Sequence, residues 1–476
     1  MAVESTTIRK RLFVDGDWLD GEEALAVTDL ADGGTFAEIA AAGPGEAELA
    51  LAAADHATEA MRETTIPQRA AWLEAIADGL TDRQDELAET IVREAGKPIS
   101  SARGEVDSAA ERFRRAAEEA RGLKGEYREG TTGGHEGWEA IIKPEPVGTV
   151  LAITPYNYPL GTSALHIAPA LAAGNSVVHK PASYTPVSAA IMAEVIESVG
   201  LPDGAYNLVA GRGSEIGDQL ASDDRVNAIA MTGSSAAGKR VARQSGMVNL
   251  HMELGGNAPA IIFPDADLDE AGAACAKGAL KFAGQRCSAI SRVLAHESVH
   301  DEVVSRIDSA MDDWVQGDLF DEDTDLGPLI DEDQATWVAE LVEDALERGA
   351  TLVRGGGHEG RVFEPTLLAD VPHDARILHE EQFGPVAAVT SVADEAEAVE
   401  LANASDLALD GAVFTTDYDR ARRVADAVDA GAVRINGAPS HGLGDIPFGG
   451  NKDSGIGREG IDASIERFVR KKSIIL

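Results

Sequence analysis

The chain is poor in cysteine, in positive charge and in long apolar runs. Its 476 residues hold two cysteines, Cys275 and Cys287, which excludes a disulfide framework and fits a reducing cytoplasm. No apolar run approaches the roughly 20 residues that a membrane-spanning helix needs, so no membrane partner is expected. The opening stretch MAVESTTIRKRLFVDG has no apolar segment followed by a cleavage site, so secretion through a signal peptide is not expected. Lysine and arginine together number 41 against 82 Asp and Glu, a formal net charge of −41. A surface this negative repels nucleic acid and anionic lipid. The acid is spread along the chain, as in DDRVNA, DEDTDL and DEDQAT, and forms no single acidic tail. The expectation is a high-salt cytoplasm whose counterions screen the self-repulsion. Solenoid repeats and low-complexity linkers are also missing.

What is present is enough apolar residue for a large core. The composition is 44% apolar and 26% charged, which excludes whole-chain disorder. At roughly 150 residues per domain, the length suggests about three domains' worth of chain. Between 45 and 125, GEAELALAAADHATEAM, PQRAAWLEAIADGLTDRQDELAETIVREAG and SARGEVDSAAERFRRAAEEARGL repeat apolar residues at three- and four-residue spacing, which predicts helices. Residues 126–147 turn Gly-rich, then Trp138, Ala140 and Ile142 alternate with polar positions, which predicts an exposed strand or hairpin. From Gly148 onward, short apolar strands (TVLAITP, SVVHKP, YNLVAG, VNAIAMTG) alternate with helices, and a second alternating set runs from about Pro259 to Asn436. That order predicts an α/β fold with parallel sheets covered by helices on both faces. The tail RFVRKKSIIL ends in a short apolar strand.

Three signals look chemical and read better as structure. His296-Glu297-Ser298-Val299-His300 matches the HExxH zinc-peptidase pattern, which needs both histidines one turn apart on a helix. Here RVLA predicts a strand up to His296, with Ser298 as the N-cap of the next helix and Asp301 three residues on. No metal site is expected there. Gly211-Arg212-Gly213-Ser214-Glu215-Ile216-Gly217 misses the dinucleotide fingerprint by one residue. Cys275, in EAGAACAKGALKF, reads as a buried core thiol.

Four segments carry the chemical reading. Thr154-Pro155-Tyr156-Asn157-Tyr158-Pro159 is a turn that can extend neither strand nor helix, and it follows a parallel strand, where open α/β sheets place ligands. Met252-Glu253-Leu254-Gly255-Gly256-Asn257 sets an acid beside a Gly-Gly turn. Gly284-Gln285-Arg286-Cys287-Ser288 sets a cysteine among polar residues beside a positive charge, which suits a thiolate better than a core thiol. Glu380-Glu381-Gln382-Phe383-Gly384-Pro385-Val386 is the fourth.

With these four, the whole chain resembles the aldehyde dehydrogenase superfamily. The resemblance also rests on Lys180-Pro181-Ala182, on Thr232-Gly233-Ser234 with Gly238, and on Pro447-Phe448-Gly449-Gly450-Asn451-Lys452 before SGIGREG. It implies two Rossmann-like parallel-sheet domains and a β-hairpin oligomerisation arm. The cofactor domain would span 1–125 and 147–255, the catalytic domain 256–452, and the arm 126–146 with 468–476. In the family that arm mediates dimers and tetramers, so a homodimer or homotetramer is implied. Cys287 would be the nucleophile that adds to an aldehyde carbonyl. The Asn157 amide and the Cys287 N–H would hold the oxyanion. Glu253 would activate water to hydrolyse the resulting thioester, and can also take the thiol proton.

The resemblance places the cofactor, NADP or NAD, against Thr154, Pro155, Lys180, Ser183, Gly211, Thr232, Gly233, Ser234, Leu254, Glu381 and Phe383. Family members that prefer NAD often carry Glu at the position of Ser183, where it binds both ribose hydroxyls. A Glu would repel a 2′-phosphate, whereas Ser183 can donate to one and Lys180 adds charge. NADP is therefore the favoured cofactor. On the substrate side the resemblance points to Tyr158, Arg286 and Ser288, and to a small hydroxyaldehyde such as lactaldehyde or glyceraldehyde, or a semialdehyde. The branch that oxidises glyceraldehyde 3-phosphate without phosphorylation carries an arginine in the loop before Pro447-Phe448. Ser440-His441-Gly442-Leu443-Gly444-Asp445 has none. A coenzyme-A-acylating relative would lack Glu253, which is present. A zinc peptidase at His296 and His300 and a non-catalytic relative complete the alternatives.

Overall fold

The alternation of strand and helix resolves into two separate sheets in the computed structural model, which describes residues 7–476. The first sheet has eight strands. Five adjacent strands run parallel: Asn249–Glu253, Val226–Thr232, Thr149–Ile153, Ser176–Lys180 and Tyr206–Leu208. Leu12–Val14 and Asp17–Leu19 continue it antiparallel at one edge, and Gly455–Ile456 closes the other. The central strands are buried, from Thr149 to Ala152 in one and from Ser176 to Lys180 in the next, as strands covered on both faces must be. From Thr149–Ile153 the chain winds outward to Ser176–Lys180 and Tyr206–Leu208. It then crosses back to Val226–Thr232 on the other side. The crevice at the carboxyl ends of Thr149–Ile153 and Val226–Thr232 is therefore the switch point where this class of sheet binds ligands.

The second sheet has seven strands, in the order Thr351–Arg354, Thr366–Ala369, Val386–Val392, Ile290–His296, Ala258–Ile262, Asp410–Phe414 and Ala432–Ile435. All its pairs are parallel except the edge pair of Thr351–Arg354 with Thr366–Ala369. A third sheet stands apart: Glu126–Glu129, Glu139–Pro146 and Val469–Ile475 pair antiparallel. Tyr127, Trp138, Ile141 and Ile475 are exposed on it. No helix among the described residues is long and apolar enough to cross a membrane.

The N-terminal helical region has one more break than the periodicity predicts. The stretch read as one helix is two, Ile66–Asp82 and Gln84–Ala95. Arg83 leaves helical geometry between them, its guanidinium engaged by Glu86 and Glu194. Gly96, in the left-handed region at φ 71°, then stops the second helix. A second correction concerns the HESVH segment. The N-cap of helix His300–Met311 is Val299, with no side-chain cap, because the Ser298 hydroxyl turns back to His296 Nδ1 at 2.9 Å. His296 ends the strand Ile290–His296 and His300 opens the helix, so the two do not lie one turn apart on a helix. Cys275 is fully buried in the core of the second sheet's layer.

Candidate active site

Four parallel strands of the first sheet end at one crevice, and each delivers a residue singled out above. Thr149–Ile153 runs into Thr154 and Pro155, and Ser176–Lys180 ends on Lys180. Val226–Thr232 runs into Gly233 and Ser234, and Asn249–Glu253 into Leu254. Together with Asn157, Ser183, Cys287, Glu381 and Phe383 they line a cleft of about 790 Å³. Its lining is mainly apolar, with a few polar groups aimed inward, as expected of a small-molecule site.

One end of the cleft is a helix start. Ser234 caps helix Ser235–Gln244, its hydroxyl accepting from Ala237 N–H at 3.3 Å. The first backbone N–H groups of a ten-residue helix face the cleft there, a ready site for an anionic group. Lys180 lies beyond, 6% exposed, its ammonium donating to the Pro181 carbonyl at 3.1 Å. Burial lowers its pKa to about 8. Ser183 is already engaged: its hydroxyl donates to the Gly211 carbonyl at 3.1 Å. Gly211 itself does not line the cleft, so its part is to orient Ser183.

The opposite wall is the turn around Glu381 and Phe383. Glu381 accepts from Gly256 N–H at 2.8 Å, and burial raises its carboxyl to about 7. Phe383 sits at φ 50°, a costly conformation for a large side chain. Helix Glu332–Glu347 holds it there. Gln334 donates to the Gln382 and Phe383 carbonyls at 2.8 and 3.2 Å, and Trp337 donates to Glu381 O at 3.0 Å. Neither Gln334 nor Trp337 carries a sequence signal that separates it from an ordinary helix residue.

Cys287 stands at the bottom of the cleft. The chain reaches it through three left-handed residues, Phe282, Ala283 and Gly284. Gln285 pins the loop, accepting from Ile330 N–H at 2.9 Å and donating to Pro328 O at 3.3 Å. Asn157 donates one amide hydrogen to Gln285 O at 2.9 Å, which leaves its second hydrogen free beside the cysteine. The Cys287 N–H donates to no protein acceptor among the described residues. Gly256 packs directly on the Cys287 carbonyl, where any Cβ would collide with it.

The electrostatics correct the expectation of a ready thiolate. Burial, then the negative charges of Asp410 and Glu253, push the Cys287 thiol up to about 12. Arg286 acts in the opposite direction and is outweighed. Glu253 is 2% exposed, and neither carboxyl oxygen has a hydrogen-bond partner. Burial, with Glu459 and Asp410 nearby, raises it well above the usual carboxylate range, against the pull of Arg458. Gly449 makes room for it, since a Cβ there would collide with Glu253 Oε1.

Tyr158, Arg286 and Ser288 lie outside the cleft. Ser288 Oγ is 3.8 Å from Cys287 Sγ. The Tyr158 ring meets Phe282 edge-on and lies under the Lys97 ammonium, 3.6 Å from its centroid. Its hydroxyl feels the charges of Arg286, Glu105, Cys287 and Arg112, which places these groups together. Lys97 is paired with Glu105, and Glu105 also accepts from Leu160 and Gly161 N–H at 3.0 and 2.9 Å. Arg112 has no ion-pair partner among the described residues, and its Nε is buried without a hydrogen-bond partner. His441 pairs with the buried Asp410 at 2.6 Å and stacks on Phe448. Arg112, Asp410 and His441 were not singled out from the sequence. Arg112 sits in a charged helix where nothing marks it from its neighbours.

This geometry has close counterparts. A model of the aldehyde dehydrogenase family matches residues 18–474. The chain is 37% identical over 478 residues to the succinate-semialdehyde dehydrogenase [NADP(+)] GabD of Escherichia coli (strain K12), covering 98% of each. It is 36% identical over 465 residues to an NADP-dependent glyceraldehyde-3-phosphate dehydrogenase of Streptococcus equinus, covering 97% of this chain and 98% of that one. Among solved structures it superposes on an NADP-dependent glyceraldehyde-3-phosphate dehydrogenase from Bacillus halodurans C-125, complexed with NADP, with a TM-score of 0.97. Identity there is 37%, with 99% of each chain covered.

Proposed function

The chain belongs to the aldehyde dehydrogenase family, and from that premise we propose that it oxidises a small aldehyde to the carboxylic acid with NADP or NAD, through a thioester on Cys287. The observation that carries this reading is the placement of Cys287 at the foot of the cleft, with Asn157 and Glu253 beside it. The cleft fits a dinucleotide. It has a volume of about 790 Å³, is largely apolar, and offers a capped helix start, Lys180 and Glu381 as its polar points. A nicotinamide dinucleotide bound there supplies the hydride acceptor.

The chain's own residues divide the remaining work. The Cys287 sulfur bonds to the aldehyde carbon, and its proton passes to a base, for which Glu253 is placed. The free Asn157 amide hydrogen and the Cys287 N–H hold the oxyanion that forms. Once hydride has left, the carbon is a thioester. Glu253, having released the thiol proton to solvent, then takes a proton from water as the water oxygen bonds to the thioester carbon, and the carbon–sulfur bond breaks to release the acid, with a proton returned to the Cys287 sulfur. A coenzyme-A-acylating course needs no such base, and Glu253 speaks against it.

Lys180 and Ser183 favour NADP over NAD. The ammonium offers charge to a 2′-phosphate, and no carboxylate stands at 183 to repel it. On the substrate side, Arg112, Arg286 and Tyr158 favour an aldehyde bearing a carboxylate or another anionic group, or a hydroxyl. A phosphorylated triose is the second reading, favoured by the unpaired Arg112. The sheet of Glu126–Glu129, Glu139–Pro146 and Val469–Ile475 serves as the oligomerisation arm in this proposal, its exposed Trp138 and Ile475 meeting a second copy. The charge of −41 supports a salt-requiring cytoplasmic enzyme.

The test is cofactor reduction in molar potassium chloride, with NADP and NAD each paired with lactaldehyde, glyceraldehyde, glyceraldehyde 3-phosphate and succinate semialdehyde. Reduction by wild type and none by Cys287→Ala is expected, with the anionic aldehydes ranked first. Absence of reduction with every pair, from a folded protein that binds NADP, would count against the proposal.

A further inference from the structure

Two residues before Glu253, on the same face of its strand, lies a second cluster that the reaction above does not use. His166 comes from helix Pro159–Ala173, His251 from strand Asn249–Glu253, and Glu459 from the segment after Gly455–Ile456. One donor atom from each lies within 4.8 Å of the others. The three side chains are 0%, 1% and 2% exposed. His166 Nε2 meets the Thr232 hydroxyl at 2.9 Å, and its Nδ1 faces Glu459 Oε1 at 3.2 Å without the alignment of a hydrogen bond. Both ring nitrogens of His251, His166 Nδ1 and Glu459 Oε1 are buried and have no hydrogen-bond partner. Buried polar atoms of native proteins are rarely left so, and one such atom from each of three residues, all within 4.8 Å of one another, calls for a common partner.

We propose that His166, His251 and Glu459 form a divalent-metal site, and that zinc is the ion it fits. Two imidazoles and one carboxylate are a donor set zinc takes readily, with a fourth position left for water. Bonds of about 2.0–2.1 Å in tetrahedral geometry put neighbouring donors about 3.3 Å apart, close to the His166–Glu459 spacing. The Thr232 hydroxyl engages His166 Nε2, which leaves Nδ1, facing Glu459 at 3.2 Å, as the ring nitrogen open to an ion. Arg112 and Arg467 bring positive charge to the same region. That disfavours a cation held by charge alone and selects one that bonds to imidazole nitrogen. The ion would tie the strand ending in Glu253 to helix Pro159–Ala173 and to the C-terminal segment.

The experiment uses the tag-free full-length protein carrying Cys287→Ala, so that the cleft thiol cannot bind the ion. After chelator treatment and dialysis against zinc, elemental analysis is expected to find about one zinc per chain, with a raised melting temperature. Cobalt loading is expected to produce the visible bands of a four-coordinate nitrogen–oxygen site. His251→Gln and His166→Gln, each in the same background, are expected to lose both. Zinc below about a tenth of an equivalent, or unchanged zinc in the two histidine variants, would overturn the proposal. If a variant fails to fold, the cobalt spectrum of the parent decides: six-coordinate bands or none would overturn it.

Discussion

The two sides of Cys287 are built differently. The cofactor cleft takes its residues from the ends of four parallel strands and the turns that follow them, so short motifs mark it. The side proposed for the substrate is assembled from a distant helix (Arg112), the turn at Tyr158 and the residue before the nucleophile (Arg286). One side is shape and backbone, held by caps and carbonyl bonds. The other is arginine charge in a half-buried setting. On the function proposed above, the class of chemistry resides in the first and the choice of aldehyde in the second, so substitutions should separate the two.

The largest expected effect crosses both sides. Asn157→Ala removes one oxyanion donor, which typically costs about 2.7–4 kcal/mol or about 10²–10³ in kcat. NADP affinity, read by fluorescence titration, should stay within about a factor of two. Next come the charges of the substrate side. Arg112→Ala and Arg286→Ala should each lower kcat/KM for succinate semialdehyde by about ten- to a hundredfold, the worth of a hydrogen bond to a charged group. Propionaldehyde, which has no charge to lose, should change by less than about threefold. Equal losses on both aldehydes would dissolve the distinction between the sides.

Smaller effects belong to the cofactor side. Ser183→Glu sets a carboxylate where a 2′-phosphate would lie and should shift preference toward NAD by about tenfold or more. The Lys180 ammonium has its pKa lowered by burial to about 8, so it is charged below that pH and neutral above it. The NADP-over-NAD affinity ratio should therefore fall between pH 7 and pH 9. The smallest signal is in the thiol. With burial holding Cys287 up to about 12, alkylation by iodoacetamide in the absence of cofactor should climb steadily from pH 7 to pH 10 with no plateau. A plateau near pH 7 would mean the thiolate is already formed.

The same contrast explains what was legible beforehand. Thr154, Asn157, Lys180, Gly233, Glu253, Cys287 and Glu381 stand in turns that periodic structure cannot accommodate, or at the strand ends that lead into them; the crevice gathers all but Glu253, which lies buried close to Cys287. Arg112 could not be read, because a partly buried arginine in SAAERFRRAAEEA has the same local pattern as a solvated one. Asp410 lies in a strand whose apolar run says only that it is buried. The chain neighbours of Cys287 mislead about its thiol for a related reason. Arg286 is adjacent in the chain, whereas Asp410 and Glu253, which together with burial outweigh it, are distant in the chain and close in space. The break at Arg83 and the uncapped start at Val299 likewise depend on side-chain partners that local propensity does not contain.

The most direct test of the central claim is a single turnover by Glu253→Gln with NADP and succinate semialdehyde, followed by acid quench and peptide mass analysis. At pH 9 solvent hydroxide can take the thiol proton in place of Glu253, so acylation remains possible, whereas deacylation loses the base positioned for water and becomes slow. The expected result is a burst of about one NADPH per active site and a succinyl mass on the peptide containing Cys287. A burst with no acyl group on Cys287, or an acyl group on another residue, would contradict the account.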